Sequence, residues 1–317
     1  MSNRRYITIL FSVLFIVMVF SSYQMLSGIT PEEKVPVSVI VSDSTNDRWN
    51  AMREGMEQAA LNYQISLNII STENLSSAKD LISLMRREIE LGAKGIVFEP
   101  VDDRGMVEFI EEVGRSVSLV LIQSDIEPGD VYSSVLTDDA TLISQLTTAL
   151  EEKYGEKLME KKIGIVQSVP YQFALKQRKK LLEDYFREKE ISLSWRKNNI
   201  YFLSDLVEQD PVDIIIALDN ISTEATIDSL LELKKEKKTD LFGIGYSEKA
   251  VYYLDRQVVD HLVLNNDFNM GYMSIENIRK MIDYGNQKTN QRIDSYSIGE
   301  ENMYEEEYQK ILFPLVQ

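Results

Sequence analysis

No cysteine occurs in the 317 residues, and histidine occurs once, at His261. The first absence removes structural disulfides, thiolate catalysis and lipid attachment at an N-terminal cysteine. The second leaves no partners for a zinc site or a Ser-His triad, so His261 reads as a core or strand-edge histidine. Positive charge is also short: 34 Lys and Arg stand against 51 Asp and Glu, a formal charge of −17. A phosphate-binding surface needs a dominant basic patch, so nucleic acid is excluded as a partner. Signature loops are missing too. There is no GxSxG elbow, no P-loop and no GxGxxG after a strand, and "GIGYSEKA" is a glycine pair without the third glycine. Carboxylates are numerous enough for a glycosidase pair, but no two are singled out by position. The residues therefore point to no catalytic group, no metal ligand and no cofactor site.

The amino-terminal stretch is different in kind. Arg4 and Arg5 precede an apolar run from about Tyr6 to Phe20, and Glu32 and Glu33 follow it. Positive residues before and acids after predict an orientation with the N-terminus inside. The run is near the lower limit of the roughly 17–25 residues a spanning helix needs, and near the upper limit for a signal-peptide core. No Ala-x-Ala box follows; Val19-Phe20-Ser21 and Leu26-Ser27-Gly28 are only tolerable cleavage sites. Residues 1–28 therefore read as a single-pass anchor in the cell membrane, with secretion after signal cleavage as the alternative. Either way the remainder works outside the cytoplasmic membrane.

Beyond Pro31 and Pro36, strand and helix patterns alternate. "VPVSVIVS", "ISLNII", "KGIVF", "SLVLIQ", "KIGIVQS", "VDIIIAL", "LFGIG" and "HLVLN" are short apolar or β-branched runs. Between them lie stretches with helical spacing, such as Trp49, Met52, Met56, Ala59, Ala60 and Tyr63. Continuous apolar strands alternating with helices predict parallel sheets covered on both faces, and their number suits two doubly wound lobes. No Gly/Ser-rich linker separates them. The acidic "EENMYEEEYQK" stretch reads as a solvated face.

Ligands of open α/β sheets bind outside the carboxyl ends of the strands. Those ends carry Ser42, Asn46, Arg48 and Trp49, then Gln123, Ser124 and Asp125. The second series adds Gln167 and the turn to Lys176, then Asp219, Asn220, Asn265, Asn266 and Asp267. Amides, carboxylates and a cation or two donate and accept together, as a ring of hydroxyls requires, and an aromatic face packs against the C–H side of a sugar. Some of these groups have a structural use as well. Asn46, Asp219 and Asn220 can cap the helices they precede, Asp102 and Asp103 look like caps alone, and Trp49 shares the stripe of Met52 and Met56.

The stretches "VSDSTNDRWNAMREGMEQAA", "REIELGAKGIVFEPVDD", "LVLIQSD", "VDIIIALDN", "LFGIGYSEKAVYYL" and "LVLNNDFNMGYMSIENI" resemble, in order, the type I periplasmic binding proteins of the ribose/galactose class. The resemblance covers about Pro36 to Tyr284. It implies two Rossmann-like lobes joined by a three-strand hinge, lobe 1 about 36–139 plus 265–288 and lobe 2 about 140–264 plus 289–317. It implies a small-molecule ligand, a sugar or sugar-like, held between the lobes by Ser42, Asn46, Arg48, Trp49, Gln123, Lys176, Asp219, Asn220 and Asn265. It further implies a membrane partner that reads the closed form, either an ABC importer permease or a sensor kinase, and no catalysis. An extracellular carbohydrate-active enzyme is the alternative from another class. The chain departs from the class where Gln123-Ser124 replace an Asp-Arg pair, Lys176 an arginine, and Gly245-Tyr246 an expected aspartate. Asp219-Asn220 reverse an Asn-Asp. These departures argue against plain ribose or galactose. A modified sugar, an oligosaccharide, a cyclitol or a signal molecule all stay open, as does a pocket that no longer binds.

Overall fold

A computed structural model describes residues 2–27, 34–41, 47–71, 77–100, 105–125, 131–170, 172–236, 238–285 and 289–312. The chain divides into two compact units, Met1–Val35 and Pro36–Gln317. The first contains helix α1, Ser2–Ser27. Its described side chains, 11–23, are all exposed, among them Phe11, Leu14, Phe15 and Ile16. The helix expected over the apolar run therefore forms. The crossing expected of it does not follow from the structure: among the described residues no helix is long and apolar enough to cross a membrane. The described side chains of α1 stop short of the ~20 apolar residues a span requires.

In the second unit the elements run β1 (Val35–Val41), α2 (Asp47–Asn62), β2 (Ile65–Ser71), α3 (Ala78–Glu90), β3 (Gly95–Phe98), α4 (Val107–Val113), β4 (Ser118–Ile122), β5 (Ser133–Thr137) and α5 (Asp139–Tyr154). After a 3-10 turn come β6 (Ile163–Val166), α6 (Phe173–Glu188), β7 (Leu193–Lys197), α7 (Leu203–Gln209), β8 (Ile214–Ala217), α8 (Asn220–Glu232), β9 (Asp240–Ile244) and α9 (Glu248–Asp255). The chain then runs through β10 (His261–Asn265), α10 (Asp267–Tyr284), β11 (Asn290–Ile293), β12 (Ser295–Gly299) and α11 (Glu306–Leu312).

Two six-stranded sheets result, ordered β11-β5-β4-β3-β1-β2 and β12-β10-β9-β8-β6-β7. Each is wound the same way about its first strand, and the order reverses beside β1 in one lobe and β6 in the other. Burial explains the apolar runs. Ile214, Ile215, Ile216 and Ala217 are wholly inaccessible because helices cover both faces of the second sheet. In the first lobe Ile40, Ile96, Phe98, Leu119 and Leu121 pack with Leu81, Met85 and Phe109 of the covering helices.

The chain passes between the sheets three times, at Asp138, Asn266 and Asp294. The third passage falls at Asp294, not at the expected 289, because β11 pairs in parallel with β5 of the first sheet while β12 runs antiparallel to β10 of the second. The passages are bonded to one another. The Asn266 N–H donates to the Asp294 carbonyl at 3.1 Å, and Gln145 and Ser295 form two hydrogen bonds, 3.1 and 2.7 Å. Helix α10 belongs to the first lobe, where it lies against α2 at backbone contact. A Cβ on Gly55 would stand 2.0 Å from the Phe268 carbonyl oxygen, and one on Gly271 1.9 Å from that of Met52. The acidic terminal stretch is only partly a solvated face, since Met303 and Leu312 are buried in the second lobe's core.

His261 opens β10 with its ring stacked on Phe242 and its Nε2 2.7 Å from the Ser297 hydroxyl. Burial lowers its pKa to about 4, with Glu301 working weakly the other way. A folded-state value below the unfolded ~6.5 means that the unfolded chain takes up the proton first. Stability is therefore lost as pH falls from about 6.5 toward 4. Between pH 7 and pH 5 this residue should cost about 2 kcal/mol. Urea titrations at the two pH values should show His261→Gln losing less stability than the parent by about that amount.

Candidate ligand cleft

Polar side chains leave a sheet buried on both faces only where its strands end. Val41 ends β1, Glu99 follows β3 and Gln123 follows β4. From the second lobe Ser168 and Val169 follow β6, Asp219 and Asn220 follow β8, Gly245 follows β9 and Asn265 ends β10. All of these line one cleft of about 160 Å³. A cavity of about 150 Å³ is room enough for a single benzene-sized ring.

Trp49 and Met52 of α2 supply an apolar wall on the first lobe, both nearly inaccessible to solvent. Gln123 is held in the left-handed region, φ 56°, with its N–H bonded to the Val135 carbonyl at 2.9 Å. Such strain in a residue other than glycine clusters at ligand sites. Asn265 is buried, and its Oδ1 has no hydrogen-bond partner among the described residues.

The second lobe contributes a buried cation, Arg178 of α6. Its Nε donates to Asp139 at 2.8 Å and its Nη1 to the Leu218 carbonyl at 3.0 Å, while Nη2 is buried without a partner among the described residues. Burial raises the Asp139 carboxyl above the ordinary aspartate range, and the adjacent guanidinium opposes that rise. Asp219 stands at the cleft, but each of its oxygens accepts a backbone N–H, from Ser222 at 2.9 Å and from Ser168 at 2.8 Å. It closes a capping box at the start of α8. The Asn220 amide donates to the Tyr246 carbonyl.

The sequence profile of the periplasmic binding protein domain matches residues 37–287. The chain belongs to that family. Among solved structures, a carbohydrate transporter solute binding protein from Agrobacterium radiobacter, in complex with D-arabinose, is similar with a TM-score of 0.79. It is 18% identical, covering 89% of this chain and 99% of that one. GanP, a glucose-galactose binding protein from Geobacillus stearothermophilus, gives 0.77 at 15% identity over 86% and 100% of the two chains. An ABC transporter periplasmic solute binding protein from Actinobacillus succinogenes with bound D-allose gives 0.73 at 16% identity over 84% and 98%. Identities this low show a shared fold alone. No curated protein matches.

Of the residues that the family resemblance implies, Trp49, Gln123, Asp219, Asn220 and Asn265 line the cleft together. Ser42 and Asn46 lie outside the described residues, as does the Arg48 side chain, whose backbone is in the first turn of α2. Lys176 is exposed and does not line the cleft. Two positions along a helix are about 200° apart around it, so Lys176 and Arg178 cannot face the same way. The sequence held the signal for Arg178. It interrupts the apolar stripe Leu175, Leu182, Phe186 at helical spacing, and an arginine in a buried stripe implies a buried partner. Glu99, Ser168, Val169, Gln172 and Ile221 also line the cleft without having been singled out.

The family's missing aspartate has a steric reason. Gly245 has φ 102°, and a Cβ there would fall 1.7 Å from the Asn220 Oδ1. Asn220 therefore occupies the space that any side chain at 245 would need.

Arg178→Met should strand the Asp139 carboxylate in its buried site and lower stability at pH 7 by about 3 kcal/mol or more. With the cation gone, the Asp139 pKa rises further, so the deficit relative to the parent should shrink as pH falls toward 5. Paired urea titrations at pH 7 and 5 read both effects.

Proposed function

We propose that the chain is an extracytoplasmic binding protein that captures one small polar ligand, a carbohydrate, between its lobes. The observation that carries this reading is a pair of buried, unpartnered polar atoms, Asn265 Oδ1 and Arg178 Nη2, in residues lining one cleft. An unmet buried donor or acceptor costs about 1–3 kcal/mol, and an acceptor and a donor in the lining of one cleft suit a ligand with hydroxyls, each of which can give and receive a hydrogen bond. Trp49 offers an aromatic surface for the C–H face of a ring. The sugars in the complexes named above support the same ligand class.

Binding without turnover is the favoured outcome. Of the two carboxylates lining the cleft among the described residues, Glu99 and Asp219, the second has both oxygens engaged by backbone N–H groups, which ties it to the fold and away from the acid–base work of a glycosidase. On this reading the apolar run from about Tyr6 to Phe20, preceded by Arg4 and Arg5, holds the binding domain at the cell membrane. Closure of the lobes then presents a changed surface to a membrane partner, an ABC importer permease or a sensor kinase. Tethering favours the kinase, because it raises the effective concentration near a fixed receptor and forgoes free diffusion.

The test is a thermal-shift screen of residues 36–317 against sugars and cyclitols, in which a ligand raises the melting temperature by mass action. Asn265→Leu should abolish that shift while leaving the ligand-free melting temperature equal or higher, because it removes an unsatisfied buried group. A retained shift in Asn265→Leu would place the ligand elsewhere.

A further inference from the structure

The two sides of the cleft differ in what they offer a ligand. On the second-lobe wall two polar side chains are engaged within the protein. Asp219 accepts two backbone N–H groups and Asn220 donates to the Tyr246 carbonyl. The Ser168 hydroxyl and the exposed Gln172 amide also line the cleft and have no bond among the described residues. Val169 and Ile221, 37% and 50% exposed, line the same cleft. Among the described residues of 36–317 these are the only valine or isoleucine side chains that are exposed, and both line this cleft. Single exposed apolar residues need no explanation, but two β-branched ones converging on one concave site do. The unpartnered atoms Asn265 Oδ1 and Arg178 Nη2 belong to the buried floor of the same cleft.

We propose that the cleft selects a carbohydrate with an apolar edge, of the 6-deoxyhexose type, its methyl group lying on Val169 and Ile221 and its hydroxyls meeting Asn265 and Arg178. This rests on the reading of the cleft as a carbohydrate site and narrows it. A hydroxymethyl group in the same place would set its hydroxyl against two aliphatic side chains, which offer it no hydrogen bond in exchange for water. The exocyclic methyl group loses nothing by the same contact. Asn220 and Gly245 enforce the arrangement, because the amide fills the space from which a carboxylate at 245 could have reached a hydroxyl.

The test is calorimetric titration of the full-length chain, in a detergent without a sugar headgroup, with matched pairs. These are L-rhamnose and L-mannose, L-fucose and L-galactose, D-fucose and D-galactose, and D-quinovose and D-glucose. The tightest ligand should be a 6-deoxyhexose that binds about tenfold or more tightly than its parent hexose, the range a methylene-sized difference gives in an apolar pocket. In the Val169→Ser, Ile221→Ser double variant that ratio should collapse to about twofold or less, the deoxy sugar losing more affinity than its parent hexose. Parent hexoses binding as well as or better than their deoxy partners would overturn this inference and leave the carbohydrate reading standing. Equal weakening of both sugars by the double variant would also overturn it, since the two side chains would then serve contact between the lobes. No heat of binding from any of these sugars would overturn this inference, and the wider screen of sugars and cyclitols would then decide the carbohydrate reading.

Discussion

A parallel sheet wrapped by helices on both faces has nowhere to put polar chemistry except at the ends of its strands. In the second sheet Ile214 to Ala217 are wholly buried, and the chain turns polar at once, at Asp219 and Asn220. The same change follows β4 at Gln123 and ends β10 at Asn265. Because the two sheets are wound alike and the chain passes between them three times, both sets of strand ends arrive at one cleft. The position of the cleft is thus a consequence of burial, with no separate binding motif required.

On the proposed reading, architecture and ligand compete for the same polar atoms of the cleft. Asp219 serves the start of α8 and the Ser168 backbone. Asn220 ties that helix to the turn after β9, and in doing so forces glycine at 245. Arg178 is divided: two nitrogens anchor it to Asp139 and Leu218, and the third has no partner among the described residues. A buried pair of this kind contributes little net stability over an apolar alternative. Its use is to hold a guanidinium in one place. Asn265 carries the same signature, an amide buried at a strand end with an acceptor unmet. Sites that stabilise a ligand at the expense of the empty protein are built in this way.

The alternation of apolar runs and helical spacing was enough to read two wound lobes, because continuous burial leaves a continuous apolar run. Strand ends were enough to bring Trp49, Gln123, Asp219, Asn220 and Asn265 into one group, since strand direction alone decides that. Choosing between Lys176 and Arg178 needed more. Both lie early in one helix, and the selection depends on the rotation of α6 about its axis, which its own stripe of Leu175, Leu182 and Phe186 records. The change of sheet at Asp294 was hidden because β11 and β12 are separated by that single residue, and three of the four residues of β11 are polar. Whether a polar strand end faces a ligand or caps a helix, as with Asp219, depends on a hydrogen bond to a residue 51 positions away, Ser168. No local pattern carries such a contact.

On the proposed reading, lobe closure on a ligand links the cleft to a partner, and it can be measured as a distance. The absence of cysteine lets spin labels be placed at Glu108→Cys and Asp205→Cys, exposed positions in the first turns of α4 and α7. Those turns lie at the cleft-facing ends of the two lobes, where helices following strands begin. Pulsed dipolar spectroscopy should show the distance between the labels shortening and its distribution narrowing when the sugar giving the largest thermal shift is added to saturation. An unchanged distribution with that sugar bound would contradict the account, because occupancy of the cleft would then be invisible from outside.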